Sequence, residues 1–366
     1  MKISIQRESL LKPLQQVIGA VERRQTLPAL GNVLIRATPT GLSLTATDLE
    51  IELVSSVPHP AEEAGEVTVP ARKLMDICKA LPDSAELRLV TEGDKVTLRS
   101  GKSRFSLATL PAAEFPTLDE ISVSKEFTVG QGKLKALIER TSFAMANQDV
   151  RYYLNGLMLE VEKGRLRAVA TDGHRLAMCD MEAEIDTESS LQVIVPRKGI
   201  QELVRLLEDA EAEARIQLGA NHLRVSLGDV RFTSKLIDGR FPDYQRVIPK
   251  GGDKVLRIGR EGFRQALSRA SILSNEKYRG IRLLVEDGVV RIQAHNPEQE
   301  EAEEEIEVGY QGEPMEIGFN VNYLLDVLNT LAGEEIEATL RDGNSSALVQ
   351  DPSSSEALYV VMPMRL

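Results

Sequence analysis

Along this chain, apolar and polar residues alternate with period two in many short runs. "NVLIRA" (32–37) and "GLSLTATDLEIELV" (41–54) put aliphatic side chains on one face and polar ones on the other, the pattern of half-buried strands. Between such runs the period lengthens. Leu10, Leu14 and Val17, and later Leu134, Leu137 and Ile138, recur at three- and four-residue spacing, which predicts amphipathic helices. Pro13 is expected within the first turns of the first helix, where a missing N–H is tolerated.

The pattern comes round three times. "LPALGNVLIRATPTGLSLTATDLEIEL" (27–53), "YYLNGLMLEVEKGRLRAVATDGHRLAM" (152–178) and "KYRGIRLLVEDGVVRIQAHNPEQEEAE" (277–303) align. Gly31, Gly156 and Gly280 coincide, as do Asp48, Asp172 and Asn296, at offsets of 124 or 125 residues. Each copy opens with a strand and a helix, continues through a strand into a second helix, and closes on strands marked by Phe105, Phe232 or Tyr359. Repetition on this scale means copies of one folding unit. Three domains are expected, 1–122, 123–250 and 251–366, with the polar or glycine-bearing seams "DEISVSKE" and "IPKGGDK" between them. Each is expected to be α+β, an antiparallel sheet with two helices on one face.

Composition narrows the function. Apolar content of 42% and charged content of 27% belong to globular chains, and 366 residues exceed what one core usually organises. "MKISIQRESLLKP" reaches charges and a proline before any apolar stretch develops, so no export signal is expected. Cys78 and Cys179 have 100 residues between them and no CxxC spacing, which suits a reducing cytoplasm and neither a disulfide framework nor a zinc site. No GxxxxGK[ST] phosphate loop occurs, and no cofactor is expected.

A net charge of −12 counts against a nucleic-acid partner until its distribution is read. The helical segments 6–24, 70–81, 131–148 and 196–207 each carry +2, and 260–280 carries +3; only 320–332 is negative, at −1. Together they hold +10, leaving −22 for the rest. A solvated face explains one such helix. Five of six biased alike indicate a local polyanion site, whose contacts would be to phosphates, since no base-reading motif is present.

"VATDGHRLAM" (169–178) brings Thr171, Asp172, His174 and Arg175 together like the parts of a catalyst. "ATD" recurs at 46–48, however, followed by "LEIE". The Thr-Asp pair therefore reads as a scaffold turn in which aspartate bonds backbone amides. A triplicated-domain enzyme with its site around Asp172 and His174 is the rival reading, and the absence of a nucleophile at convincing spacing disfavours it. An adaptor that binds only proteins is disfavoured by the positive helices.

The strings "LPALGN", "FAMANQDVRYYLNG", "ATDGHRLAM", "VIVPRKG", "TSKLIDGRFPDY", "ILSNEKYRG", "HNPEQEEAEEE" and "YVVMPMRL" resemble the bacterial DNA sliding clamps, the beta subunits of DNA polymerase III, from end to end. The resemblance implies a ring without enzymatic activity, a head-to-tail homodimer around double-stranded DNA. Helices would line the hole and sheets form the outer wall; a clamp loader opens the ring, and the replicative polymerase and other factors bind through short peptides. It places Arg24, Arg72, Gln148, Tyr152, Tyr153, Arg197, Lys198 and Arg205 toward DNA, although the two tyrosines also suit packing at a seam.

It further implies an apolar peptide pocket where the second and third units meet. Leu154, Thr171, Gly173, His174, Arg175 and Leu176 would come from the second unit, with Pro242, Arg246 and Val247 from near its end, and Val360, Met362, Pro363 and Met364 from the last strand. Asn320, Tyr323 and Ser346 would stand beside them, and Val360 equally fits a core strand. Methionine adapts to varied apolar anchors. The ring would close where "SGKSRFSLATL" (100–110), with Phe105 and Leu107, meets the acidic edge "PEQEEAEEEIE" (297–307) of another copy. There Lys73, Lys102 and Arg104 would face Glu298, Glu300, Glu301, Glu303 and Glu304, while Ile272 and Leu273 supply apolar contact.

Overall fold

The structure is a computed structural model that describes residues 1–22 and 27–365. The same order of elements, strand, helix, four strands, helix, three strands, occurs three times. The first copy runs β1 Lys2–Gln6, α1 Arg7–Val17, β2 Asn32–Ala37, β3 Leu42–Thr47, β4 Ile51–Val57, β5 Gly65–Pro70, α2 Ala71–Ala80, β6 Glu86–Glu92, β7 Lys95–Ser100 and β8 Ser103–Ala108. The second runs β9 Lys125–Gly130, α3 Gln131–Glu139, β10 Gly156–Glu162, β11 Arg165–Thr171, β12 Arg175–Glu182, β13 Leu191–Pro196, α4 Arg197–Leu206, β14 Glu213–Leu218, β15 His222–Leu227 and β16 Val230–Lys235. The third runs β17 Lys254–Gly259, α5 Arg260–Ala270, β18 Gly280–Glu286, β19 Val289–His295, β20 Glu301–Glu307, β21 Met315–Asn320, α6 Val321–Thr330, β22 Glu335–Leu340, β23 Ala347–Gln350 and β24 Ala357–Val361.

Every strand pairing is antiparallel, and the α+β class holds, but a repeat does not make one sheet. Its eight strands divide four and four, and halves of neighbouring repeats fuse. One compact unit, Met1–Leu134 with Lys198–Leu236, holds the sheet β1-β6-β7-β8 and the eight-stranded sheet β5-β2-β3-β4-β16-β15-β14-β9. The other, Lys135–Arg197 with Ile237–Leu366, holds β13-β10-β11-β12-β24-β23-β22-β17 and β20-β19-β18-β21. Each eight-stranded sheet thus has a seam where the fourth strand of one repeat pairs with the eighth strand of the next: β4 with β16, and β12 with β24.

The helices lie on the sheets by the stripes the sequence gives them. Leu10, Leu14 and Val17 of α1 are fully buried, as are Leu74 and Cys78 of α2. Each such aliphatic side chain stabilises the fold by about 1.5–3 kcal/mol. Arg7 begins α1 and donates Nε to the Cys78 carbonyl at 2.6 Å, and Arg260 begins α5 and donates to the Gly333 and Leu328 carbonyls at 2.7 and 3.1 Å. The cation opening one helix thereby satisfies carbonyls left free where its neighbour ends. Gly19 sits where α4 comes close: a Cβ there would lie 1.8 Å from a Glu202 carboxylate oxygen.

Pro13 departs from the expected placement. The helix begins at Arg7, so Pro13 is its seventh residue, beyond the amides that lack partners anyway, and it deprives Ser9 of a helical donor. Ser9 is exposed, so water can take that carbonyl.

Candidate functional sites

The Thr-Asp turns of the first two copies are built from hydrogen bonds to the backbone. Asp48 Oδ1 accepts from the amides of Glu50 and Ile51 at 2.9 and 2.8 Å; Asp172 Oδ1 accepts from those of His174 and Arg175 at 2.9 and 3.1 Å. Thr47 and Thr171 donate their hydroxyls to the carbonyls of Ile51 and Arg175. The turn is the same device in both copies, with Leu49 (φ 76°) and Gly173 (φ 88°) in the left-handed region. At Gly173 the left-handed conformation favours glycine, and the Arg151 guanidinium, the movable end of a long side chain, lies 2.9 Å from where a Cβ would stand.

What differs in the second copy is the use of His174 and Arg175. Arg175 donates Nε to Asp172 at 3.2 Å and Nη2 to the Phe143 carbonyl at 3.0 Å, and it pairs with Asp326 of α6. Its guanidinium also lies 4.6 Å from the Tyr323 ring centroid. The exposed His174 ring stacks on Tyr323 at 6.3 Å. These groups fasten α6 to the seam of the second unit. Among the described residues no group of three His, Cys, Asp or Glu side chains could hold a metal ion.

The residues expected in the pocket gather along that seam. Leu176 of β12 stands directly opposite Val360 of β24. Leu154, Leu176 and Val360 are only 2, 2 and 1% exposed and pack with Met158, Val169, Met178, Ile194, Phe241 and Tyr244, so they form a floor. Val360 is a core residue as well. Thr171 is buried, Val247 packs against the same cluster, and Pro242 and Arg246 are exposed on the segment beside it. Past β24 the chain stays extended: Met362 donates its amide to the His174 carbonyl at 2.9 Å, and Met364 to that of Gly318 at 2.8 Å. Met362, Pro363 and Met364 remain half-buried, as do Asn320, Tyr323 and Ser346.

The cations expected to face DNA divide into two kinds. Arg197 donates to the Met145 carbonyl at 3.0 Å; Arg205 donates to those of Gln15 and Gln16 at 3.0 and 2.7 Å and pairs with Glu202. Lys198 pairs with Asp48 and lies 3.9 Å from Glu22. Arg72 keeps a buried Nε without a hydrogen-bond partner. Lys12, Lys73, Lys79 and Lys133, by contrast, are exposed, and their ammonium groups carry no hydrogen bond or ion pair among the described residues. Gln148 adopts a left-handed φ of 56°, and Tyr152, 57% exposed, meets Tyr153 edge-to-face at 5.7 Å. Arg24 lies outside the described residues.

The residues expected at the closing contact lie on the edge strands β8 and β20, on the turns beside them and, for Lys73, on α2. Phe105 is half-buried and Leu107 buried on β8, and Ile272, beside the half-buried Leu273, is 75% exposed. Glu304 pairs with Arg269, Glu303 accepts from Gln293, and Glu300 accepts from Asn296 within the third repeat. Glu298, Glu301, Lys73, Lys102 and Arg104 are exposed, with side chains unpaired among the described residues.

Sequence reasoning missed a charged row in the second unit. Gln192, Glu160, Arg167 and Asp180 stand opposite one another on β13, β10, β11 and β12. Arg167 and Glu160 side chains are 11 and 7% exposed, whereas the alternation "LEVEKGRLRA" reads as a solvated face. The signal was available in "FPDY" (241–244), which answers "FPTL" (115–118) of the first copy but replaces leucine with Tyr244.

Tandem copies of one α+β unit, joined edge to edge by their sheets and carrying basic helices, define a protein of the DNA clamp class. The N-terminal, central and C-terminal domain families of the DNA polymerase III beta subunit match residues 1–119, 128–243 and 245–365. The beta sliding clamps of Pseudomonas aeruginosa and Escherichia coli K12 are 58 and 55% identical to this chain, each over the whole of both chains. A crystal structure of the Pseudomonas aeruginosa clamp, 57% identical, superposes over all of both chains with a TM-score of 0.98, and another, bound to griselimycin and 58% identical, with 0.96 over all of both. The chain belongs to the DNA polymerase III beta subunit family, the bacterial sliding clamps.

Proposed function

We propose that this protein is the processivity clamp of a replicative polymerase, a ring without catalytic activity that two copies close head-to-tail around duplex DNA. The observation that carries the reading is the arithmetic of sheet edges. Both seams join a fourth strand to an eighth strand of the following repeat. In the same roles, β20 is the fourth strand of the third repeat and β8 the eighth of the first, and each ends its sheet. Carrying the registers of the two seams forward sets Arg104 of one copy opposite Glu303 of another, Phe105 opposite Ala302 and Leu107 opposite Glu300. Two different surfaces that recur in this way close into a ring of six repeats.

The charge on β8 supports that partner. Arg88, Arg99 and Arg104 stand directly opposite one another on three neighbouring strands, all exposed, an arrangement that repels itself until an acidic strand lies alongside. Ile272 and Leu273 add the apolar contact. The repeats are assigned to 1–122, 123–250 and 251–366.

Inside the ring, Arg24, Arg72, Gln148, Tyr152, Tyr153, Arg197, Lys198 and Arg205 are assigned to the DNA-facing set, together with the unpaired lysines of the helices. Anchored arginines fix positive potential, and mobile lysines make exchangeable phosphate contacts, which suits holding a duplex without stopping on it. The second seam takes the peptides of polymerases and other factors, and griselimycin is the ligand that probes it here. Free, buried thiols at Cys78 and Cys179 fit a bacterial cytoplasm.

The test is topological. The protein, placed by its clamp loader and ATP on nicked circular DNA, is expected to co-elute with the circle and to leave within minutes of linearisation. Equal loss from circular and linear DNA would overturn encirclement. Removing residues 362–366 is expected to abolish griselimycin binding while leaving the dimer intact, and undiminished affinity would overturn the pocket.

A further inference from the structure

We infer that Tyr244 and the charged row beneath it are positioning residues that hold one wall of the peptide pocket, an inference that rests on the pocket assigned above. Pro242, Arg246 and Val247 belong to no strand; they ride on the segment that follows β16 and closes the second repeat. Tyr244 lies in the middle of that segment and begins a single 3-10 turn, Tyr244–Arg246, whose carbonyl accepts from the Val247 amide at 3.0 Å. Its ring is 3% exposed and packs in the same cluster as the floor residues Leu154, Leu176 and Val360. Its hydroxyl donates to Glu160 Oε2 at 2.8 Å and accepts from Arg167 Nη1 at 2.9 Å.

That hydroxyl is held by a row satisfied on both sides. Glu160 also accepts from Gln192 Nε2 at 2.6 Å, and Arg167 donates to both Asp180 oxygens at 2.5 and 2.7 Å. Buried charges orient strongly what they bond, and a buried carboxylate that loses a donor is costly. The first seam lacks the device. There the matching row is Glu66, Arg36, Ser43 and Ser56, with an exposed Arg36–Glu66 pair, and Leu118 replaces the tyrosine. Of the two seams, the one to which the peptide is assigned is the one that combines a charged row with a tyrosine that meets it.

The experiment compares Tyr244→Phe, Glu160→Gln and Glu160→Ala by griselimycin titration, with hydrogen exchange at the Arg246 and Val247 amides. Tyr244→Phe is expected to weaken binding five- to twentyfold and speed exchange at those two amides, leaving dimer assembly unchanged. Glu160→Gln keeps an acceptor for the hydroxyl and is expected to stay within twofold of the parent, whereas Glu160→Ala reproduces the tyrosine defect. Tyr244→Phe binding like the parent, or all three variants losing affinity alike, overturns the inference. Failure of the pocket itself has a different signature: griselimycin then binds neither the parent nor any variant, or binds protein lacking residues 362–366.

Discussion

The two seams are built on one plan and surfaced for different ends. In the first unit, the row crossing β5, β2, β3, β4, β16 and β15 reads Thr68, Leu34, Thr45, Val54, Arg231, Ser226. In the second, the same positions on β13, β10, β11, β12, β24 and β23 read Ile194, Met158, Val169, Met178, Leu358, Gln350. Two residues nearer the turn, Glu52 faces Thr233 in the first seam where Leu176 faces Val360 in the second. Lys235 donates its amide to Glu50 just as Met362 does to His174. Backbone pairing is therefore conserved while side-chain chemistry inverts. An apolar row leaves a floor that can be covered by a partner; a polar row is finished by its own loop, as when the Leu118 amide donates to Glu52 at 3.2 Å.

Exchanging one residue between the seams tests this most severely. Leu176→Glu writes the first seam's residue into the second, placing a carboxylate where a side chain is 2% exposed. Lost packing and an unpaired buried acid together are expected to cost about 4 kcal/mol or more. Griselimycin binding should fall by over a hundredfold. Urea denaturation within about 1 kcal/mol of the parent would mean that the floor is not a closed core.

The unclosed edges extend the comparison to a third seam. Arg104→Glu is expected to shift the dimer toward monomer by about 2 kcal/mol, roughly thirtyfold in dissociation constant, read by sedimentation. Adding Glu303→Arg on the same chain should restore assembly, because the proposed register would set the two opposite each other. A swap that fails to restore the dimer would break the register carried over from the two seams. The converse exchange at the first seam, Glu52→Leu with Thr233→Val, should do little. It deprives the Leu118 amide and Arg224 Nε of acceptors but buries two aliphatic groups, for a net change of about 1 kcal/mol or less. It should not create a griselimycin site, since Lys235 and Leu118 still stand where Met362 and Tyr244 stand in the second.

How much of this could be read beforehand follows from what periodicity encodes. Three copies, their order of strands and helices, and the Thr-Asp turns were legible, because repetition and turn chemistry are local. The division of each repeat between two sheets was not: alternation fixes which face a residue takes, and says nothing of which strand lies beside it. The pocket residues came from resemblance, and only the structure separates floor from rim. Glu160 and Arg167 were hidden because a buried, mutually satisfied charge row alternates just as a solvated one does. Arg197 and Arg205 were legible as positive charge but not as ties to backbone carbonyls.

The smallest expected effect concerns the loop that carries Gln148, Tyr152 and Tyr153 to the second seam. Asp149 accepts from Arg151 through both backbone and side chain, at 2.8, 3.0 and 2.9 Å, and Arg151 in turn donates to the Asp172 carbonyl beside Gly173. The Arg151 guanidinium and amide hold the Asp149 carboxyl down from an ordinary 3.8 to about 2. A carboxyl whose folded value is depressed contributes fully above its unfolded value and loses that contribution as pH falls through the folded one. The window therefore runs from about pH 4 down to about pH 2. Arg151 is exposed and Asp149 open to solvent on one side, so the energetic consequence is small and should fade further in salt. By NMR, the Asp149 carboxyl is expected to titrate with a midpoint near 2, with the Gly173 amide shifting in parallel as Arg151 lets go. In Asp149→Asn the Gly173 step should vanish, while griselimycin affinity at neutral pH changes less than twofold. A midpoint near 4 would mean that the loop is not tied to the turn, and the second seam would then lose one of the fastenings that set it apart from the first.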